Sequence, residues 1–186
     1  MGYITILIAL ASYSLYFKDI FLNRTKPHAF SWFIWSVLFG IAFLAQLSGN
    51  GGPGAWITGF TAVICFIISV VASFKTQEKF KMLDWVCLAL ALAALILWRY
   101  CGNPSLAVLL VTIAYVIGFL PTFRKAYYKP QQETAATFGL NAIKFTIAIF
   151  ALSSFSVVTW LYPAVLVFVN ILFVGMLIER RNALHK

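Results

Sequence analysis

The chain has 186 residues, 62% of them apolar and only 10% charged, with a mean hydropathy of +0.92. A soluble domain is about half apolar and a quarter charged, and so short a chain has too little interior to hide this much apolar surface from water. Together these values exclude an ordinary soluble globule and point to lipid as the solvent. The net charge of +9 would suggest nucleic acid in a soluble protein; in a membrane protein it reports topology, and no nucleic-acid partner is expected.

A mostly apolar run of about 18 or more residues reads as a membrane span. Seven such runs follow one another, at 3–22, 29–48, 55–74, 83–100, 105–124, 136–154 and 157–178. The first contains "ALAS" but has no basic residue before it, so a signal peptide is not expected. The connections are short and leave no soluble domain. Their charges alternate. Lys18, Arg24 and Lys26 follow the first run, and Lys75, Lys79 and Lys81 the third. Arg124, Lys125 and Lys129 follow the fifth, and Arg180, Arg181 and Lys186 the seventh. "SGNGGPG" and "SSFSV" carry none, and only Arg99 edges the connection after the fourth. This bias implies an N-terminus outside and a C-terminus in the cytoplasm. With no targeting extension apparent, the expected location is a bacterial inner membrane. Trp56, Trp98 and Trp160 fall at the outer ends and Trp32 and Trp85 at the inner ends, where indole rings favour the interface. Trp35 lies one turn deeper.

Two segments repeat each other. "FKDIFLNRTKPHAFSWFIWS" from Phe17 aligns with "FRKAYYKPQQETAATFGLNA" from Phe123, pairing Lys18 with Arg124, Ser31 with Thr137, Trp32 with Phe138 and Trp35 with Asn141. A slightly smaller shift aligns "AWITGFTA" with "TWLYPAVL" and pairs Trp56 with Trp160. Runs 1–3 and 5–7 therefore read as two copies of one unit. A three-span unit ends on the side opposite its start, so one extra span is needed to keep the second copy parallel to the first. The expected fold is an all-α membrane protein of seven helices in a 3+1+3 order. Its parts would be a first bundle at 1–76, a linker helix at 77–102 and a second bundle at 103–186.

This architecture resembles the SWEET and PQ-loop superfamily over essentially the whole chain. "LPTF" at 120–123 is similar to the motif ending the first span of each SWEET repeat, and the basic linker with "LNA" at 140–142 fits the second repeat. The first repeat has Leu15 in place of the proline, and "PQ" at 130–131 stands in a loop, features of a divergent PQ-loop-like member. KDEL-receptor-type and PnuC-type proteins share the arrangement. The resemblance implies a solute held by an asparagine of the third helix and an aromatic residue. Asn170 lies in that helix, although the alignment sets the family position nearer Ala164, and Trp35 is the aromatic candidate.

Ionisable groups at mid-span are functional candidates. Lys144 stands about nine residues into the sixth run, with no acidic residue at similar depth. Three readings are open. It faces a water-filled cavity and meets an anionic group of a solute, it is held there as the neutral amine, or its stem snorkels to an interface. Thr137, Asn141 and Lys144 share one helix face, either for a solute or for interhelical hydrogen bonds. Thr58, Thr61, Cys65 and Ser69 form a milder stripe read as close packing. Tyr16 and Tyr115 are lesser candidates. Pro121 and Pro163 cannot complete helical hydrogen bonds and read as hinges or as prolines tolerated near helix ends. His28 reads as a solvated loop residue. No carboxylate pair, Ser-His-Asp set or metal cluster occurs, so neither enzyme chemistry, a cofactor nor a metal is expected. The expected function is alternating-access transport of a small, polar or anionic solute bound mid-membrane. The partners are then that solute and the bilayer, with association of copies left open. The alternative is a receptor of the same fold that moves nothing.

Overall fold

The computed structural model describes residues 2–27, 29–75 and 82–184. His28, Lys79, Lys81 and Lys186 lie outside them. Seven helices follow: α1 (Gly2–Phe21), α2 (Ala29–Ser48), α3 (Trp56–Lys75), α4 (Met82–Cys101), α5 (Pro104–Tyr128), α6 (Ala135–Phe150) and α7 (Val157–Leu184). Among the described residues there is no strand. By length and composition, α1, α2, α3, α5 and α7 can cross a membrane; Trp85–Cys101 of α4 and all of α6 are shorter apolar helices. An all-α architecture is the one such segments allow in lipid, because a helix satisfies every backbone N–H and C=O within itself. The chain is thus compatible with an integral membrane protein.

The boundaries follow local chemistry. Gly102 takes a positive φ of 60°, ending α4. Asn103 then caps α5, its Oδ1 accepting from the backbone N–H of Ser105 and Leu106 at 3.0 and 3.3 Å, with Pro104 at the first helical position. α6 ends at Phe150, earlier than the apolar run suggests, because its exit passes directly over Gly54. A Cβ there would lie 2.5 Å from the carbonyl of Ala148 and 2.8 Å from the N of Leu152. α5 and α7 run past their apolar stretches because their ends hold each other: Arg180 donates to Tyr127 O, and Arg181 donates to Pro130 O and Glu133 O.

The packing is regular. α2 lies on α3, and α6 on α7; α1 packs on α6 and α3, and α5 on α2 and α7. α4 leans mainly on α5 through Cys87, Ala91 and Ala94, small residues on one face that permit close approach. Burial recurs along the chain. Shifting by 106 carries the buried Tyr13 to Phe119, Ser31 to Thr137, Leu38 to Lys144, Phe39 to Phe145 and Ala42 to Ala148. In the third helix of each set the shift is 101: Thr58 falls on Thr159, Thr61 on Tyr162 and Ser69 on Asn170, all buried. The expected pairing of Trp56 with Trp160 is therefore corrected by three residues. Trp56 is exposed and Trp160 only half-buried, so their likeness reflects a common interface preference and not an equivalent place in the packing.

Both ends of the bundle are tied. At the glycine-rich end, Gln46 Nε2 donates to Thr159 O at 2.8 Å and Ser153 N donates to Gly51 O. At the basic end, Lys75 Nζ donates to Ile20 O, Thr134 Oγ1 to Asp19 Oδ2 at 2.6 Å, and Lys125 forms an ion pair with Glu133 at 3.0 Å.

Candidate solute site

α6 is apolar over most of its surface, yet Thr137, Asn141 and Lys144 fall on one side, and Thr137 and Lys144 reach α1; Thr146 lies on the opposite side and bonds back to Ala142 O. Thr137 and Ser12 exchange hydrogen bonds, each hydroxyl donating to the other's carbonyl, at 3.2 and 3.3 Å. Of the two readings of Thr137, its hydroxyl here takes the interhelical bond. Farther along the same seam lies Lys144, whose side chain is fully buried. Its Nζ donates to the Tyr13 hydroxyl of α1 at 3.0 Å and to Thr61 Oγ1 of α3 at 3.3 Å. It also lies 4.2 Å from the centre of the Tyr13 ring and 5.0 Å from that of Phe145. An ammonium has three N–H donors; two meet hydroxyls and a ring face receives the remaining field. The amine neither snorkels outward nor faces lipid. Thr61 was assigned to packing by its stripe; the structure gives it a polar partner as well.

Beyond Phe145 the surroundings change character. Phe145 stacks on Phe39 with centroids 5.8 Å apart and planes 14° from parallel. Phe39 meets Tyr162 edge-on at 5.3 Å and Tyr115 at 6.2 Å, and Trp35 stacks on Phe119 at 5.4 Å. α2, α5, α6 and α7 thus contribute one continuous aromatic cluster. Within it, Asn170 Nδ2 donates to Leu166 O at 2.7 Å and, more weakly, to the Tyr115 hydroxyl at 3.4 Å.

Six buried side-chain polar atoms have no partner among the described residues: Trp35 Nε1, Gln46 Oε1, Thr58 Oγ1, Asn141 Oδ1, the Tyr162 hydroxyl and Asn170 Oδ1. Buried polar groups are normally paired, and an orphan costs roughly 1–3 kcal/mol. They come from α2, α3, α6 and α7 and are spread along the bundle: Trp35 Nε1 lies beside Gly118 and Cys87, and Thr58 stands in the first turn of α3. Trp35 and Asn141, paired in the sequence repeat, both carry one.

The candidates are therefore split between two neighbouring regions. Lys144 and Thr137 line the α1–α6 seam, and Asn141 lies on α6 between them. Trp35 and Asn170 belong to the aromatic cluster, linked to the amine through Phe39 and Phe145. Tyr16 stands apart against Trp32, with ring centres 5.0 Å apart. Pro163 is buried inside α7 and Pro121 lies within α5. Sequence reasoning missed Tyr13, Phe39, Phe145 and Tyr162, since buried aromatics look alike until the partner helix is known. The available signal was Lys144 itself, which needed an acceptor from another span.

At the basic end of the same seam is an open cleft of about 300 Å³, lined by Asp19, Arg24, Thr25, Glu133, Thr134 and Arg181 among others. Its wall includes Ala135 and Ala136, which lead directly into the Thr137–Asn141–Lys144 face. Among the described residues no group of His, Cys, Asp and Glu could hold a metal.

Comparison with protein-family models, curated proteins and solved structures returns no match. The site's chemistry alone must carry the functional reading.

Proposed function

We propose that the chain is a small-solute carrier of a bacterial inner membrane, working by alternating access, with seven spans arranged 3+1+3. In this reading α1–α3 and α5–α7 are parallel halves, α4 restores the orientation of the second, and the basic end faces the cytoplasm. The recurrence of burial at shifts of 106 and 101 supports two equivalent halves, and so does the exchange of packing partners. α1 on α6 is matched by α5 on α2, and α2 on α3 by α6 on α7.

The observation that carries the proposal is the placement of Lys144. It projects from α6 of one half onto Tyr13 and Thr61 of the other, fully buried at mid-helix, beside a cluster with unpaired polar atoms. A purely structural seam would be cheaper without an ionisable amine, since its charged form at mid-bilayer costs about 2.5 kcal/mol or more. Parting the halves along α1 and α6 would expose the amine, and the cleft at the basic end lies where that parting would start. The solute is polar or anionic, with a neutral sugar as the runner-up.

A carrier must open its site to both sides; a receptor need not. Asn141→Cys, in a background with Cys65, Cys87 and Cys101 replaced by alanine, reports this in proteoliposomes. An impermeant maleimide should label position 141 from either side. Labelling from one side only would sink the carrier reading in favour of the receptor.

A further inference from the structure

The two halves match in position but not in chemistry. Lys144, Tyr13 and Thr61 correspond, by the burial shifts, to Leu38, Phe119 and Tyr162. The first trio is an amine with two hydroxyls. The second is an aliphatic side chain, a phenyl ring and a phenol whose hydroxyl has no partner among the described residues. The Phe39–Phe145 stack pairs the same position in both halves, so it lies where they meet. A solute spanning this point would meet a cation at one end and rings at the other.

We infer that the site selects a small monocarboxylate with a flat apolar body, its carboxylate on Lys144 and its body against Phe39 and Tyr162. This rests on the carrier reading and adds the substrate class and its orientation. Three observations carry it. First, the amine's described neighbours are two hydroxyls, two ring faces and the Cys65 thiol, whereas a carboxylate accepts shorter, stronger charge-assisted bonds from an ammonium. Among the described side chains the acids Asp19, Glu133 and Glu179 stand at the basic ends of their helices or connections, whereas Lys144 stands mid-helix. Second, one buried cation balances one negative charge. A phosphate dianion would bring a second charge with nothing to compensate it in a low-dielectric interior. Third, the other end offers ring faces and edges, which suit an apolar or aromatic body.

The test uses the full chain in nanodiscs, titrated calorimetrically with four probes: benzoate, its neutral analogue benzamide, acetate and inorganic phosphate. Benzoate should bind saturably, at least tenfold tighter than any of the other three. Lys144→Met should weaken benzoate at least tenfold and leave benzamide unchanged. Phe39→Leu should weaken benzoate and leave acetate unchanged. The wild-type comparison needs no variant, so it holds even if a substitution prevents folding. Absence of saturable benzoate binding, or benzamide or phosphate binding as tightly as benzoate, would overturn the inference. The carrier reading is judged separately by two-sided labelling at position 141, so failure of one is distinguishable from failure of the other.

Discussion

At the scale of single residues, Lys144 and its two hydroxyl partners form the unit from which the rest can be tested. Hydrogen bonds to a charged group contribute about 1.5–3 kcal/mol each. Tyr13→Phe removes one acceptor and part of the ring's electron density while keeping the packing. It should lower the unfolding free energy in detergent by that order. In a Lys144→Met background the same substitution should cost little, because the partner is already gone. A double-mutant cycle followed by denaturant unfolding measures the difference. Additive losses would mean that Tyr13 and Lys144 do not interact.

Among the elements, α6 and the turn it meets hold the glycine-rich end together. Gly54 sits under the exit of α6 so closely that a Cβ would reach backbone atoms of Ala148 and Leu152 within 3 Å. Backbone cannot swing aside as a flexible side chain can. Gly54→Ala should therefore destabilise by about 1–3 kcal/mol. Gly139, inside α6 with no neighbour within 4 Å of its added Cβ, is the control: Gly139→Ala should be neutral or stabilise by up to about 1 kcal/mol. Thermal unfolding of both variants checks the contrast. Equal melting temperatures would show that the contact beneath α6 is not tight. Helix existence was legible at this scale because each apolar run is long and bounded by glycine, proline, asparagine or charge. The end of α6 was not, because Ala151–Ser154 is apolar or small enough to continue a helix, and only the crossing over Gly54 stops it.

For the whole molecule, the seam between α1 and α6 must part for a buried amine to meet a solute. The Thr25 and Thr134 hydroxyls lie 3.0 Å apart across its basic end. With the native cysteines replaced, Thr25→Cys and Thr134→Cys should cross-link on mild oxidation and hold that end shut. The cross-link should abolish maleimide labelling at Asn141→Cys from the basic side and spare labelling from the glycine-rich side. Unchanged labelling from the basic side would place the entry elsewhere.

Composition and run length sufficed on their own to show a helical chain compatible with lipid, because those properties depend only on spacing along the chain. The same spacing marked Lys144, since a cation in an apolar run needs no partner to be conspicuous. What it could not supply was the partner. Tyr13 and Thr61 stand 131 and 83 residues away, and one buried tyrosine or threonine resembles another until helices are laid side by side. The register of α3 against α7 was likewise misjudged by matching two interfacial tryptophans. Only tertiary packing shows which face is buried, and burial, not letter identity, decides which positions of two repeated helices are equivalent.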